Sequence, residues 1–269
     1  MKRAHVLLGA ALIAGATTLS AQAKQPENGE KFDWSGRVPS GAWLRVLNIN
    51  GSVDVEPASG DQASIHGEKQ WRRGDPAWVR FEVVKSGDNV IVCALWNDND
   101  TCDERGIHSH GHNDRGERRN NDVNVHFTVK LPKGVKIDAS TVNGAVDVRG
   151  ATTEVEATSV NGRVEATSSG GPVTGSSVNG DVTAHMEQLT GSSDLRFTTV
   201  NGSITVDMPG KLDADVEMET VNGSIRSDYP MTIEGGRISP KHLRAKIGSG
   251  GRRIRFTTVN GSITLRKLN

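Results

Sequence analysis

Residues 137–184 contain three copies of one pattern, spaced 18 residues apart: I-D-A-S-T-V-N-G-A-V-D-V (Ile137 to Val148), V-E-A-T-S-V-N-G-R-V-E-A (Val155 to Ala166) and V-T-G-S-S-V-N-G-D-V-T-A (Val173 to Ala184). Further along, Val-Asn-Gly recurs at Asn201, Asn222 and Asn260, and an earlier Asn48-Ile49-Asn50-Gly51 keeps the same frame. From Asn143 onward the steps between successive asparagines are 18, 18, 22, 21 and 38 residues. The last step reads as two coils of 19, the intermediate one having lost its Asn-Gly near Pro240. A fixed period of this length is the mark of a stacked repeat architecture.

Aligned on the asparagine, the copies share an apolar frame. Position −6 holds Leu44, Ile137, Val155, Val173, Leu195, Val216 and Ile254. Position +3 holds Val53, Val146, Val164, Val182, Ile204, Ile225 and Ile263. Positions −4 and +5 are mostly apolar or small, so the pattern alternates with period two, as in strands with one buried face. The parity slips between the Ser or Thr at −2 and the Val at −1, which places −1, +1, +3 and +5 on one face. A corner at the same place in every coil explains that slip. An ordinary two-residue hairpin turn would explain each Asn-Gly singly, but not the shared period. The expected fold is all-β: a single-stranded β-solenoid of about eight coils with 18–22 residues per coil, a rod ~40 Å long at ~4.8 Å per coil. Gly at +1 suits close approach or a positive φ. Asn50, Asn143, Asn161, Asn179, Asn201, Asn222 and Asn260 would then stand one above another, close enough for their side-chain amides to form a ladder.

Several motifs carry a family resemblance. They are T-V-N-G-S-I at 199–204, 220–225 and 258–263, T-V-N-G-A-V at 141–146, L-P-K-G-V-K-I at 131–137 and the closing G-S-G-G-R-R-I-R-F-T-T-V-N-G-S-I-T-L at 248–265. Over roughly residues 36–269 the chain resembles the bacterial putative-adhesin domain, a β-solenoid family of unknown function common in exported proteins. The resemblance implies the fold and an exported setting. It implies no activity, cofactor or catalytic residue.

The N-terminus reads as a signal peptide of residues 1–23, followed by a linker, 24–35. Lys2 and Arg3 precede an apolar stretch from Val6 to Ala16, and Ala21-Gln22-Ala23 supplies the small-x-small cleavage pattern. The stretch is too short to span a bilayer. Its removal takes away two of 32 basic residues and none of 32 acidic ones, leaving the mature chain near −2. That balance gives no general attraction to nucleic acid or anionic lipid. The expected location is the periplasm or the cell exterior, with no membrane span in the mature chain. The two cysteines, Cys93 and Cys102, read in such a compartment as one disulfide. A redox pair is the weaker reading, because the spacing is not Cys-x-x-Cys.

Residues 56–136 interrupt the repeat. Strands are expected at 77–84 and 89–96 and again at 122–131, forming longer coils of the same solenoid, with the five tryptophans (Trp34, Trp43, Trp71, Trp78, Trp96) capping its open end. The polar segment 97–121 reads as a mobile loop stapled at its base by the disulfide. Within it, His108, His110 and His112 could bind Zn²⁺, Ni²⁺ or Cu²⁺. Asp98, Asp100, Asp103 and Glu104 lack the spacing of a calcium loop. Carboxylates such as Asp147, Glu156, Glu165, Asp181 and Glu217 fall at outward-facing positions without forming a cluster, and His126, His185 and His242 occupy unrelated positions. The Thr-rich faces at 198–199, 205, 257–258 and 264 follow from β-propensity. The expected function is that of a non-catalytic envelope protein without a cofactor, which contacts a macromolecule or surface through a solenoid face or the polar loop. A β-helix enzyme acting on glycans and a metal-binding protein using the histidine loop are the rival readings.

Overall fold

The computed structural model describes residues 30–109, 121–233, 239 and 241–268; the expected signal peptide lies outside them. Two extended sheets face each other, and each coil lays one strand in each sheet, before and after its corner. In chain order the coils are coil 1, Trp43–Leu47 with Val53–Pro57; coil 2, Asn89–Leu95 with Asn124–Leu131; coil 3, Lys136–Asn143 with Val146–Ala151; and coil 4, Val155–Asn161 with Val164–Ser168. Coil 5 is Val173–Ser176 with Val182–Met186, coil 6 Leu195–Thr198 with Ile204–Met208, coil 7 Ala214–Asn222 with Ile225–Ser227, and coil 8 Arg252–Asn260 with Ile263–Lys267.

Neighbouring coils pair in parallel and in repeat register: Ile137 beside Val155, Val155 beside Val173, Val146 beside Val164, and Val164 beside Val182. Positions −6 and +3 therefore become two facing apolar rows. Leu44, Ile137, Val155, Val173 and Ile254 face Val53, Val146, Val182, Ile204 and Ile263, all almost completely buried. Each such side chain stabilises the fold by roughly 1.5–3 kcal/mol, and only while its neighbours are in place.

The stack does not follow the chain. Its order is 2-1-3-4-5-6-8-7. Coil 1 pairs with coil 2 on one side and coil 3 on the other. Coil 8 pairs with coil 6 on one side and coil 7 on the other. The expected coil near Pro240 is replaced by something else. Pro240 itself lies outside the described residues, and the neighbouring strands Thr232–Ile233 and His242–Ile247 run antiparallel beyond coil 7. The 38-residue step from Asn222 to Asn260 is thus an excursion around the end of the rod and back inside it.

Antiparallel strands also close the other end: Lys31–Arg37 and Gln62–Gln70 in one sheet, Arg80–Ser86 in the other. Among the described residues the first strand is Lys31–Arg37. Strands reversed at the edge interrupt the parallel template that another chain could extend. Phenylalanine, not tryptophan, fills this end. Phe81 stacks on Phe32 at 4.7 Å between centroids and meets Phe127 edge-on at 5.8 Å, all three buried. Trp34 and Trp96 only pack against the margin of the core, and Trp71 is exposed.

The segment after Trp96 is more ordered than its polarity suggests. Thr101–Asp103 and Gly106–His108 form a short hairpin, and Cys102 is bonded to Cys93. With Ile107, the hairpin covers Leu47, Ile91, Cys93 and Leu95 on the outer face of the sheet, a second apolar cluster. The cause is legible in Val90-Ile91-Val92-Cys93-Ala94-Leu95: this strand is apolar on both faces and needs cover on both.

Candidate binding edge

The corner is built from four consecutive residues. At −2, the buried Ser or Thr hydroxyl donates to the carbonyl of the glycine in the adjacent coil: Thr141 to Gly51 at 2.9 Å, Ser159 to Gly144 at 2.8 Å, Ser177 to Gly162 at 2.9 Å, Thr199 to Gly180 at 2.8 Å, Thr258 to Gly202 at 2.9 Å and Thr220 to Gly261 at 2.8 Å. Coil 1 carries Asn48 there instead, and its amide donates to the Gly51 and Val125 carbonyls. In the sequence this position marks only the start of the corner. The alternation of Ser and Thr, both with a hydroxyl, was the available signal.

At the asparagine, the backbone N–H points toward one neighbouring coil and the N–H of the following glycine toward the other. Asn179 donates to the Val160 carbonyl and Gly180 to the Asn201 carbonyl; Asn201 donates to Val178 and Gly202 to Asn260. This reversal turns the pleat, and it throws the −1 side chain outward. The expectation that −1 shares a face with the buried +3 position is therefore corrected. Val142, Val178, Val200, Val221 and Val259 are 37–52% exposed, and Val160 and Ile49 are half-buried. Close approach decides the glycine: a Cβ on Gly162 would lie 1.9 Å from the Gly144 carbonyl oxygen, and one on Gly223 1.8 Å from that of Gly261.

The seven asparagine side chains form one unidirectional chain of amide hydrogen bonds. Asn222 donates to Asn260, Asn260 to Asn201, Asn201 to Asn179, Asn179 to Asn161, Asn161 to Asn143 and Asn143 to Asn50, at 2.7–2.8 Å. Amide chains of this kind polarise one another. The edge therefore presents an aliphatic ridge in the order Ile49-Val142-Val160-Val178-Val200-Val259-Val221, beside a parallel row of amides. Both repeat at the coil spacing of ~4.8 Å.

The opposite edge is irregular and polar. One open cleft of about 540 Å³ lies among Gln188, Lys211, Asp213 and Arg252, and another of about 670 Å³ among Pro39, Asp61 and Lys133. Neither brings a nucleophile and a base together. Ser52 does bond to both Asp54 (2.8 Å) and His126 Nδ1 (3.0 Å). The carboxylate is attached to the hydroxyl, however, and not to the imidazole, so it does not orient a base. The expected outward carboxylates do not converge on one site but stand in short rows: Asp147 lies in register between Asp54 and Glu165, and Glu156 beside Asp138. Asp147 pairs with Arg149 at 2.6 Å, and Glu217 with Arg244 at 2.7 Å and Arg255 at 2.5 Å, the Arg244 contact holding its carboxyl below the usual range. Glu165 and Asp181 belong to different coils. Burial, and then the nearby Asp138 and Glu154, push the Glu156 carboxyl up.

Among the described residues no three His, Cys, Asp or Glu side chains are grouped to hold a metal ion. His108 bonds to Asp103 at 2.9 Å, while His110 and His112 lie outside the described residues. Asp100 accepts from Asn97, Asp103 from Arg105, and Glu104 from Ser86, so these carboxylates serve the local turns. No described helix is long and apolar enough to cross a membrane.

Geometry and repeat together define a two-sheet parallel β-solenoid with one regular, solvent-facing corner. Residues 133–266 match the Toastrack DUF4097 family. Among solved structures, the chain is similar to a putative cell adhesion protein from Clostridium sporogenes (10% identity, 91% of this chain and 100% of that one, TM-score 0.45). It is also similar to a putative adhesin from Bacteroides fragilis (12% identity, 88% and 97%, TM-score 0.28) and to one from Parabacteroides merdae (11% identity, 90% and 98%, TM-score 0.21). No curated protein matches the chain.

Proposed function

We propose that this is an exported, non-catalytic protein of the cell envelope that binds an extended macromolecule or surface along the valine and asparagine edge. The observation that carries this reading is the row of −1 residues, five of them exposed valines (Val142, Val178, Val200, Val259 and Val221), continued by the half-buried Val160 and Ile49. A solenoid buries its apolar residues between its sheets, and a contiguous exposed apolar row marks a contact surface. The leader pattern of residues 1–23 and the Cys93–Cys102 disulfide support export.

The test is co-sedimentation with purified cell-wall sacculi and with outer-membrane vesicles. It compares the native chain with a Val178→Thr, Val200→Thr, Val259→Thr variant, which keeps β-branching at three exposed sites. At least a tenfold loss of retention on one of the two materials is expected. Equal retention of both proteins, or none by the native chain, would overturn the reading.

A further inference from the structure

We propose that coil 8 is an exchangeable element: the slot it fills between coils 6 and 7 can be occupied by coil 8 of a second copy of this chain, giving a coil-swapped dimer. The slot is lined on both sides by parallel edges. On the coil 6 side, Gly202 and Ile204 donate to the Asn260 and Ser262 carbonyls, and Asn260 donates back to Val200; on the coil 7 side, Gly261 and Ile263 donate to Asn222 and Ser224. Inside, Phe256 stacks on Phe197 at 5.3 Å. Outside, Arg266 reaches Asp207 of coil 6 at 2.5 Å, and Arg255 reaches Glu217 of coil 7 at 2.5 Å. None of these contacts depends on which copy supplies the coil.

Among the described residues, the covalent link that ties coil 8 to its own slot is the strap of residues 248–251. It carries the chain from His242–Ile247, on the outer side of Ala214–Asn222, to Arg252–Asn260 on the inner side. The strap is short and tightly folded. Gly248, Gly250 and Gly251 have φ of 56°, 76° and 122°, which only glycine takes readily. Asp213 accepts from the Ser249 N–H at 2.7 Å and Asp215 from the Gly251 N–H at 3.1 Å. When such a strap opens, coil 8 enters an identical slot elsewhere, and the swapped dimer keeps every contact except those of the hinge. The chain order favours this event. Coils 6 and 7 are joined directly in sequence, so coil 8 must enter between them after residues 214–247 have been made. The slot then waits open for whichever coil 8 arrives first.

The test uses two full-length copies, one Thr205→Cys and one Thr264→Cys, distinguishable by mass. These threonines are register partners on the outer face of coils 6 and 8. The copies are unfolded in urea with the native disulfide intact, refolded together over a range of concentrations, and treated with a short bis-maleimide. A covalent heterodimer whose yield rises with refolding concentration is expected. A mixture of Thr183→Cys and Thr205→Cys copies, register partners in coils 5 and 6, should give at least tenfold less. Lengthening the strap by six Gly-Ser residues should lower the heterodimer yield several-fold, because the closed monomer then forms without strain on the hinge. The proposal fails if the Thr205→Cys and Thr264→Cys mixture gives no more product than the Thr183→Cys control while a single chain carrying both substitutions cross-links internally.

Discussion

Coils 3 to 6 and the two ends of the rod are made from the same repeat but obey different rules. In the middle, chain order and stack order coincide, each coil passing directly to its neighbour. At both ends the outermost position goes to an inner part of the sequence, and coils 1 and 8 are tucked one place inside. The difference teaches that the repeat decides how two coils fit but not which two meet. Phe197 to Thr205 and Phe256 to Thr264 both read F-T-T-V-N-G-S-I-T, so either could sit beside almost any other coil in register. Order is decided at the ends, by antiparallel strands that cap the sheets and by connections long enough to travel around them.

The sharpest test of this comparison is a core truncation in the tucked coil. Phe256→Ala should cost about 3–5 kcal/mol, the same as Phe197→Ala, because both rings are fully buried between neighbours. A cost below about 1 kcal/mol in urea unfolding would show coil 8 to be a frayed end and would dissolve the contrast.

The next effect separates the cap from the middle. Lys69, in the capping strand Gln62–Gln70, is buried. Its ammonium donates to the Pro76 carbonyl at 2.8 Å and to that of Val79, and it lies 5.1 Å from the Phe81 ring centroid. Burial pulls its pKa down to about 8, against an upward pull from Asp75. The unfolded chain holds this proton up to pH ~10.4. The buried charge is therefore a penalty below pH 8, relieved as pH rises from about 8 toward 10.4, and stability increases with pH across that window. The gain should be about 2 kcal/mol between pH ~7.5 and ~9.5, read as a shift in urea midpoint, and Lys69→Met should abolish it. A native chain whose stability is flat over this range would remove the charge from the cap.

The smallest effect lies in the corner. Asn179→Ala removes two ladder bonds and should cost about 1–2 kcal/mol; Asn222→Ala removes one and should cost about half as much, since each bond contributes roughly 0.5–1.5 kcal/mol. Equal costs at the two sites would mean that the amides do not act as a connected row.

Much of the architecture could be read from particular residues. The apolar alternation around Asn143, Asn161 and Asn179 was enough to imply two facing sheets with a corner between them, because period-two patterning with a fixed slip has few other solutions. The side taken by the −1 valines was not legible. It depends on which neighbour each corner amide bonds to, a property of stacked backbones and not of any one coil. The hairpin around Cys102 was hidden for a related reason: its own residues are polar, and the signal lay in the two-faced strand Val90–Leu95 that it covers.

By itself the sequence determined the unit: its length, its inward rows, its Ser or Thr hydroxyl and its glycine at the point of closest approach, all set by local sterics and burial. Only the tertiary structure decided the order 2-1-3-4-5-6-8-7 and the outward ridge. Near-identical coils have near-equal pairing energies, so the choice among them falls to the connections and caps, which no single repeat encodes.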